Sequence, residues 1–310
     1  MVSKVSEELK KTLNKVRYDV LLKNHTTFRI GGKAKYFFET QTEKDLISAV
    51  SAAKKLNIPF YIFGGGSKLL ISDRGFQGLI IKMKNADFKA KGCRIWAQAG
   101  LTLQELVKIA LAEGLSGVEW AKGIPAATLG GAVRGNAGAF GKSMKDIIRA
   151  VTVFDSHKNK ILVFKNEDCN FQYRNNIFKE SPNLIILSCE MEFRKKEKNK
   201  IKNKMDEYWE YRKKTHPLNF PSAGSIFENP EKKSSEKGEI NVMIAGLLIK
   251  ECGLAGKKIG GAKISEKHSN FIINIGGAKE KDVKELIKLA KEKVKQKFGI
   301  ELYEELQYLP

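Results

Sequence analysis

What the sequence has little of narrows it first. Its four cysteines, Cys93, Cys169, Cys189 and Cys252, lie far apart in 310 residues, with no C-x-x-C pair and no close histidine. That spacing excludes a zinc ribbon or a dithiol redox motif and leaves reduced, mostly buried thiols. The four histidines, His25, His157, His216 and His268, form no H-E-x-x-H and no paired cluster in the sequence, so no protein-bound metal is expected. The seven prolines gather in no tract, and no serine-rich run marks a disordered tail. No continuous apolar run is long enough for a signal peptide or a membrane span. The opening MVSKVSEELKKTLNKVRYDV instead alternates charge with apolar residues at helical spacing, and a cytoplasmic protein without a membrane partner is expected.

What is present is a globular balance of 42% apolar and 29% charged residues, over a length that predicts two or three packed units. The formal net charge is +21, from 56 basic and 35 acidic residues. Such an excess raises the possibility of nucleic-acid binding. The lysines argue against it, because in EELKKTLNK, KKEKNKIKNK and KEKDVKELIKLAKEKVKQK they stand among acidic residues at i, i+4 spacing, as on solvated helix faces. No nucleic-acid partner is expected. A smaller anion, such as a nucleotide diphosphate, fits the same excess through electrostatic steering.

After the N-terminal helix, AKYFFE (34–39) reads as a strand. TEKDLISAVSAAKKLN then carries a helix start at Thr42 and Asp45, and PFYIF (59–63) reads as the second strand of a βαβ unit. GLIIKM and CRIWAQAG supply further strands, and Thr102 with Glu105 matches a capping box for the next helix. RAVTVFD, KILVF and NLIILSCEMEF predict an antiparallel or mixed sheet. A long charged helix from KKEKNKIKNK through YWEYRKK marks a hinge between lobes. VMIAGLLIKECG, NFIINI and a last long helix then predict a smaller α+β domain.

Two glycine-rich stretches stand out. GGGSKLL (64–70) follows a strand directly; three glycines let successive amides turn inward and Ser67 adds a hydroxyl, which suits a pyrophosphate, although such triplets are also ordinary turns. Neither G-x-x-x-x-G-K-[ST] nor a helix-opening G-x-G-x-x-G is present there. GIPAATLGGAVRGNAGAFG (123–141) holds six glycines and five alanines around one charge, Arg134. Its short side chains would let a flat ligand lie on the backbone, and Asn136 can donate to and accept from a ring edge. Close packing of a helix or sheet crossing has the same composition. Together the two stretches point to a dinucleotide cofactor bound outside the Rossmann scheme.

HTTFRIGG (25–32), FGGGSKLLIS (63–72), the 123–141 stretch, FQYRNNIF (171–178), PSAGSIFENP (221–230) and IGGAKISEKHSNFIIN (259–274) occur in the order and spacing of UDP-N-acetylenolpyruvoylglucosamine reductase. From about residue 20 onward the chain resembles this flavoenzyme family, MurB, in its shorter branch without the tyrosine-loop insertion. The resemblance implies an α+β chain with a vanillyl-alcohol-oxidase/PCMH-type FAD-binding fold of two α/β subdomains, 1–84 and 85–205. A substrate-binding domain over 206–300 and a C-terminal segment, 301–310, would follow. It implies non-covalent FAD, NADPH as reductant, and a monomer acting in peptidoglycan precursor synthesis. The substrate would be UDP-N-acetylglucosamine enolpyruvate, reduced to UDP-N-acetylmuramate by hydride from flavin N5 to the vinyl carbon and a proton to the carbon bearing the carboxylate.

By the same resemblance the cofactor would meet Arg29, Gly64, Gly65, Gly66, Ser67, Lys68, Gly123, Ile124, Pro125, Thr128, Gly131, Asn136 and Gly138. Ser225 would be the proton donor, Arg174 the carboxylate-binding arginine, and Glu305 the C-terminal glutamate that works with it. Glu301 and Glu304 lie close enough to be confused with Glu305; on a strand, Glu301 and Glu305 would share a face. Asn229, Lys263 and His268 fall in segments matching the substrate side. The chain departs from the family at Asn176, commonly serine, at Glu228, commonly basic, and at Ala127 and Thr128, commonly glycine and threonine. A sugar or alcohol oxidase on the same flavin fold is the alternative.

Overall fold

The computed structural model describes residues 4–230, 233–234, 240–241 and 244–310; Val242 and Met243, which open the VMIAGLLIKECG stretch, fall outside them. The contacts divide the chain into an N-terminal unit, Met1–Val20, Ala34–Gly65 and Gln77–Tyr211, and a C-terminal unit, Leu21–Lys33, Gly66–Phe76 and Arg212–Pro310. These units interleave along the chain, whereas the expected boundaries at 84, 205 and 300 are linear.

In the N-terminal unit, helix α1 (Lys4–Thr12) ends early and the rest of the expected helix is a strand, Arg17–Leu21. A four-stranded sheet follows the order Arg17–Leu21, Lys33–Thr40, Phe76–Met83, Phe60–Phe63. The βαβ reading holds for element types but not for neighbours: Phe60–Phe63 pairs in parallel with Phe76–Met83, which lies between the two strands of the unit. Between them α2 (Glu43–Lys55) opens on the expected start signal, with the Asp45 amide donating to Thr42 at 3.1 Å and the Thr42 amide to the Asp45 carboxylate at 2.9 Å. Thr102 and Glu105 cap α3 (Leu103–Ala112) in the same way.

The second sheet of this unit is antiparallel, in the order Lys160–Lys165, Ile148–Asp155, Leu184–Glu192, Arg94–Gln98, Phe88–Lys91. One apolar core runs from Leu9 to Met205 through both sheets, so the two expected subdomains share it. Cys169 and Cys189 lie in that core, and burial pushes the Cys169 thiol up to about 12, where it is inert. Helices α4 (Leu129–Arg134) and α5 (Ile177–Glu180) are short and carry site residues; the charged helix α6 (Lys198–Thr215) starts three residues into the lysine-rich run that opens at Lys195.

The C-terminal unit centres on an antiparallel sheet, Ser222–Ser225, Phe271–Asn274, Ala262–Ile264, Lys258–Ile259, with α7 (Ala245–Glu251) and α8 (Glu280–Phe298). Its core draws Phe28, Ile30 and Leu70 together with Ala223, Ile226, Val283, Leu286 and Leu302. The chain's end, Gln307–Leu309, pairs in parallel with Leu69–Ile71 just after the glycine loop. That pairing brings residues 68 and 305 into one neighbourhood.

Candidate active site

In the N-terminal unit the two glycine-rich stretches cross each other. A Cβ on Gly64 would stand 2.1 Å from Thr128 Oγ1, and one on Gly65 would stand 1.5 Å from the Ala126 carbonyl oxygen. No side chain fits either position. Gly130 is equally closed, with Ala99 Cβ 2.8 Å away, and Gly138 abuts the Lys142 carbonyl at 2.3 Å in a tight hairpin. Much of the glycine content thus answers to close packing. Gly131, on α4, and Gly135, at its C-terminal end, are different: a Cβ would meet only Thr128 Oγ1 at 3.4 Å and the Gly131 carbonyl at 3.6 Å, respectively, and Gly131 is exposed. They leave a bare strip of backbone on which a flat group can rest. Pro125 is exposed beside it, Gly123 and Ile124 are half-buried, and Thr128 is buried.

Asn136 does not hold its amide out to a ring edge. Its Nδ2 donates to the Gln172 carbonyl at 2.7 Å and its Oδ1 accepts from the Lys145 amide at 3.1 Å, so it braces the segment. Arg174 lies over the same turn: Nη1 donates to the Asn136 carbonyl at 3.3 Å and Nη2 to the Gly138 carbonyl at 3.1 Å, with the guanidinium 5.1 Å from the Tyr173 ring centroid. Its backbone is left-handed, φ +56, a conformation held only where the surroundings over-determine it. Asn176 is fully buried and joins two helix ends. Its Nδ2 donates to the Val133 and Arg134 carbonyls at the end of α4, at 2.7 and 3.1 Å, while its Oδ1 accepts from the first amides of α5. The departure from serine therefore adds donors that tie the bare strip to the Arg174 segment.

In the C-terminal unit the glycine loop continues with Gly66, φ +63, where a Cβ would lie 2.6 Å from the His25 carbonyl; Ser67 is half-buried. Lys68, expected among the cofactor-side residues, has two partners within this unit. Its Nζ donates to the Ser225 carbonyl at 2.6 Å and pairs with Glu305 Oε1 at 3.2 Å. Ser225 ends the strand Ser222–Ser225 after Gly224, whose φ of +72 requires glycine. Glu305 is fixed by its own amide, which donates to the Ile226 carbonyl at 2.8 Å. The segment before Gln307 is not a regular strand, so alternation does not decide between the glutamates. Partners do: Glu304 pairs with Lys291 at 3.0 Å and hydrogen-bonds Tyr308, Glu301 is exposed, and Glu305 pairs with Lys68, which also bonds the Ser225 carbonyl.

The remaining expected residues scatter within this unit. The Arg29 carbonyl accepts from Asn274 Nδ2 at 3.4 Å, and Arg29 has φ +55. Exposed Asn229 accepts from the Ala245 amide at 3.1 Å, at the start of α7, and Lys263 pairs with Glu266 at 3.5 Å. His268 packs on His216, with ring centroids 5.2 Å apart, and both rings meet Phe271, so the fold pairs two histidines that the sequence keeps far apart. Burial holds both below the ordinary histidine range, His216 at about 3 with His268, Arg212 and Lys267 adding to the effect. Sequence reading missed the Lys68 link because its partner lies 157 positions away, and no local pattern marks it.

A four-stranded sheet with a parallel pair, a five-stranded antiparallel sheet, a bare glycine crossing and a C-terminal α+β unit define an FAD-binding oxidoreductase of the vanillyl-alcohol-oxidase type; residues 34–164 match the profile of an FAD-binding domain. Residues 216–309 match that of the UDP-N-acetylenolpyruvoylglucosamine reductase C-terminal domain. The chain is 39% identical over 308 residues to UDP-N-acetylenolpyruvoylglucosamine reductase of Caldanaerobacter subterraneus subsp. tengcongensis, covering 99% of this chain and 97% of that one. It is 40% identical over 310 residues to the enzyme of the same name from Carboxydothermus hydrogenoformans, covering 99% and 98%. The solved structure of the Thermus caldophilus enzyme superposes with a TM-score of 0.78 at 34% identity, covering 95% of this chain and all of that one. The chain belongs to the UDP-N-acetylenolpyruvoylglucosamine reductase family.

The residues present fit FAD. Exposed Gly131 beside Gly135 offers open backbone where a side chain would obstruct a ring, and the glycine crossing at 64–65 keeps the neighbouring loop bare.

Proposed function

We propose that this chain reduces the enolpyruvyl double bond of UDP-N-acetylglucosamine enolpyruvate, with NADPH as reductant, to give UDP-N-acetylmuramate for peptidoglycan synthesis. The observation that carries the reading is the meeting of Ser225 and Glu305 on Lys68, since two residues marked as catalytic by separate motifs share one neighbourhood. FAD, held along Gly131 and the Gly64–Ser67 loop, would supply the hydride for the vinyl carbon. Ser225 Oγ then gives the proton to the carbon bearing the carboxylate; a hydroxyl is a poor acid in water, so it needs charges placed to stabilise what it becomes. Arg174 binds the carboxylate, its fork matching the two oxygens on which negative charge grows as hydride arrives. Glu305 supports that exchange, and Asn229, Lys263 and His268 serve the substrate side.

Nucleotide substrate and reductant place the work in the cytoplasm, by a monomer without nucleic-acid or membrane partners. Among the described residues no helix is long and apolar enough to cross a membrane. The test is the visible spectrum of the purified protein under nitrogen. A yellow protein is expected, bleached by NADPH and recoloured by the enolpyruvyl sugar nucleotide. Bleaching without recolouring overturns the substrate, oxygen consumption driven by a sugar or alcohol without NADPH favours the oxidase, and failure to take up added FAD overturns the cofactor.

A further inference from the structure

Lys68 sits where three chain segments are already pinned by their backbones. The parallel pairing of Gln307–Leu309 with Leu69–Ile71 is extended by the Gln307 amide donating to the Lys68 carbonyl at 2.9 Å, which sets residue 305 beside residue 68. The Glu305 amide donates to the Ile226 carbonyl, which sets it beside residue 225. Gly224 passes beside the lysine, a Cβ there lying at ordinary contact distance, 3.6 Å, from Lys68 Nζ. The lysine side chain closes the triangle, with Nζ 2.6 Å from the Ser225 carbonyl and 3.2 Å from Glu305 Oε1.

We infer that Lys68 is a positioning residue of the substrate half of the reaction, holding the Ser225 main chain and the Glu305 carboxylate in one arrangement, and not a ligand of the cofactor's phosphates. The inference rests on the function proposed above and adds a residue to it.

Two physical effects support it. A hydrogen bond to a carbonyl fixes the peptide that carries the Ser225 hydroxyl, and a proton donor displaced by an ångström loses much of its rate. The Glu305 side chain is only 16% exposed, so its charge is poorly hydrated and an adjacent cation offsets part of that cost. Lys68, 35% exposed, neutralises it while staying within reach of water, so truncation there leaves no large cavity. None of this bears on the step in which NADPH reduces the flavin, and that asymmetry makes the inference testable.

The experiment compares wild type with K68M and K68R as FAD-loaded proteins under nitrogen, following flavin absorbance in two separate half-reactions. In K68M the FAD content, the visible spectrum and reduction by NADPH should stay within about twofold of wild type. Reoxidation by UDP-N-acetylglucosamine enolpyruvate should slow about 100-fold, the scale of losing one preorganised electrostatic contact. K68R, which keeps the charge, should recover to within about tenfold of wild type, the cost of a fork replacing a point charge.

If K68M loses FAD or slows both half-reactions alike, Lys68 belongs with the cofactor and the inference is overturned; unchanged reoxidation overturns it as well. Should K68M fail to fold by circular dichroism, K68Q, which keeps a donor for Ser225 without the charge, is read by the same criteria. The two levels of failure separate cleanly. A wild type that the sugar nucleotide does not reoxidise removes the proposed function and this role with it, whereas an active wild type beside an unimpaired variant removes the lysine alone.

Discussion

At the scale of single residues, the paired histidines carry a pH dependence that the reaction does not need. His216 and His268 are kept neutral, chiefly by burial, below the ordinary value of 6.5. Arg212 and Lys267 add their positive charge against protonation of His216, and Thr215 Oγ1 lies 2.8 Å from its Nδ1. The unfolded chain takes up protons near pH 6.5 that the folded chain refuses, so stability is complete above that pH and is lost as pH falls; for His216 the window runs from 6.5 down to about 3. Between pH 7 and 5 ordinary carboxylates stay ionised, and the histidines dominate. The thermal midpoint of unfolding should therefore drop on going from pH 7 to 5, and His216→Gln should flatten that slope. A variant with the wild-type slope would show that His216 does not resist protonation in the fold.

At the scale of elements, the crossing of the glycine loop with the 123–141 segment is the tightest constraint in the N-terminal unit. Gly65→Ala places a methyl against the Ala126 carbonyl, a backbone atom that cannot swing aside, and Ala126 itself is held at φ +53. Either the loop or the start of α4 must move. The expected outcome is a protein that folds, by circular dichroism, yet binds FAD at least about tenfold more weakly, with an overpacking cost of about 1–3 kcal/mol in thermal stability. Gly141→Ala is the control, because a Cβ there meets nothing within 4 Å and its φ of +74 carries only backbone strain. Equal FAD affinity in Gly65→Ala and wild type would detach the crossing from the cofactor.

The same elements show what could be read in advance. The capped starts of α2 and α3 are legible because a capping box is written within four residues. Strand order is not, since Phe76–Met83 enters between two strands that precede it in the chain. The interleaving of the units is equally silent, because Phe28, Ile30 and Leu70 are buried against residues far along the sequence. Ser225, Arg174 and Glu305 stand out through motif order, not through local chemistry. Lys68 reads from the sequence only as a neighbour of the glycine loop; its bonds to the Ser225 carbonyl and to Glu305 join residues too far apart for any local pattern to show.

At the scale of the whole molecule, the question is what a net charge of +21 does in a chain whose proposed partners are both anionic nucleotides. Some lysines are paired locally: Lys200 with Glu197 and Lys204 with Glu207 at and along the start of α6, and Lys284 with Glu280 and Lys288 with Glu292 along α8. Such exposed pairs contribute little to stability and are screened by salt. The net excess of positive charge produces a field that reaches about 30 Å at 0.01 M salt but only about 8 Å at 0.15 M. If that field steers NADPH and the sugar nucleotide inward, the second-order rate constants for flavin reduction and reoxidation should fall several-fold across this range. The limiting first-order rates should stay constant, because chemistry at the site proceeds after encounter. Rapid-mixing measurements against ionic strength separate the two. A second-order constant indifferent to salt would mean that the lysines serve solubility alone, and parallel loss of the limiting rate would mean that salt acts inside the site, on contacts such as Lys68 with Glu305, and not on the approach to it.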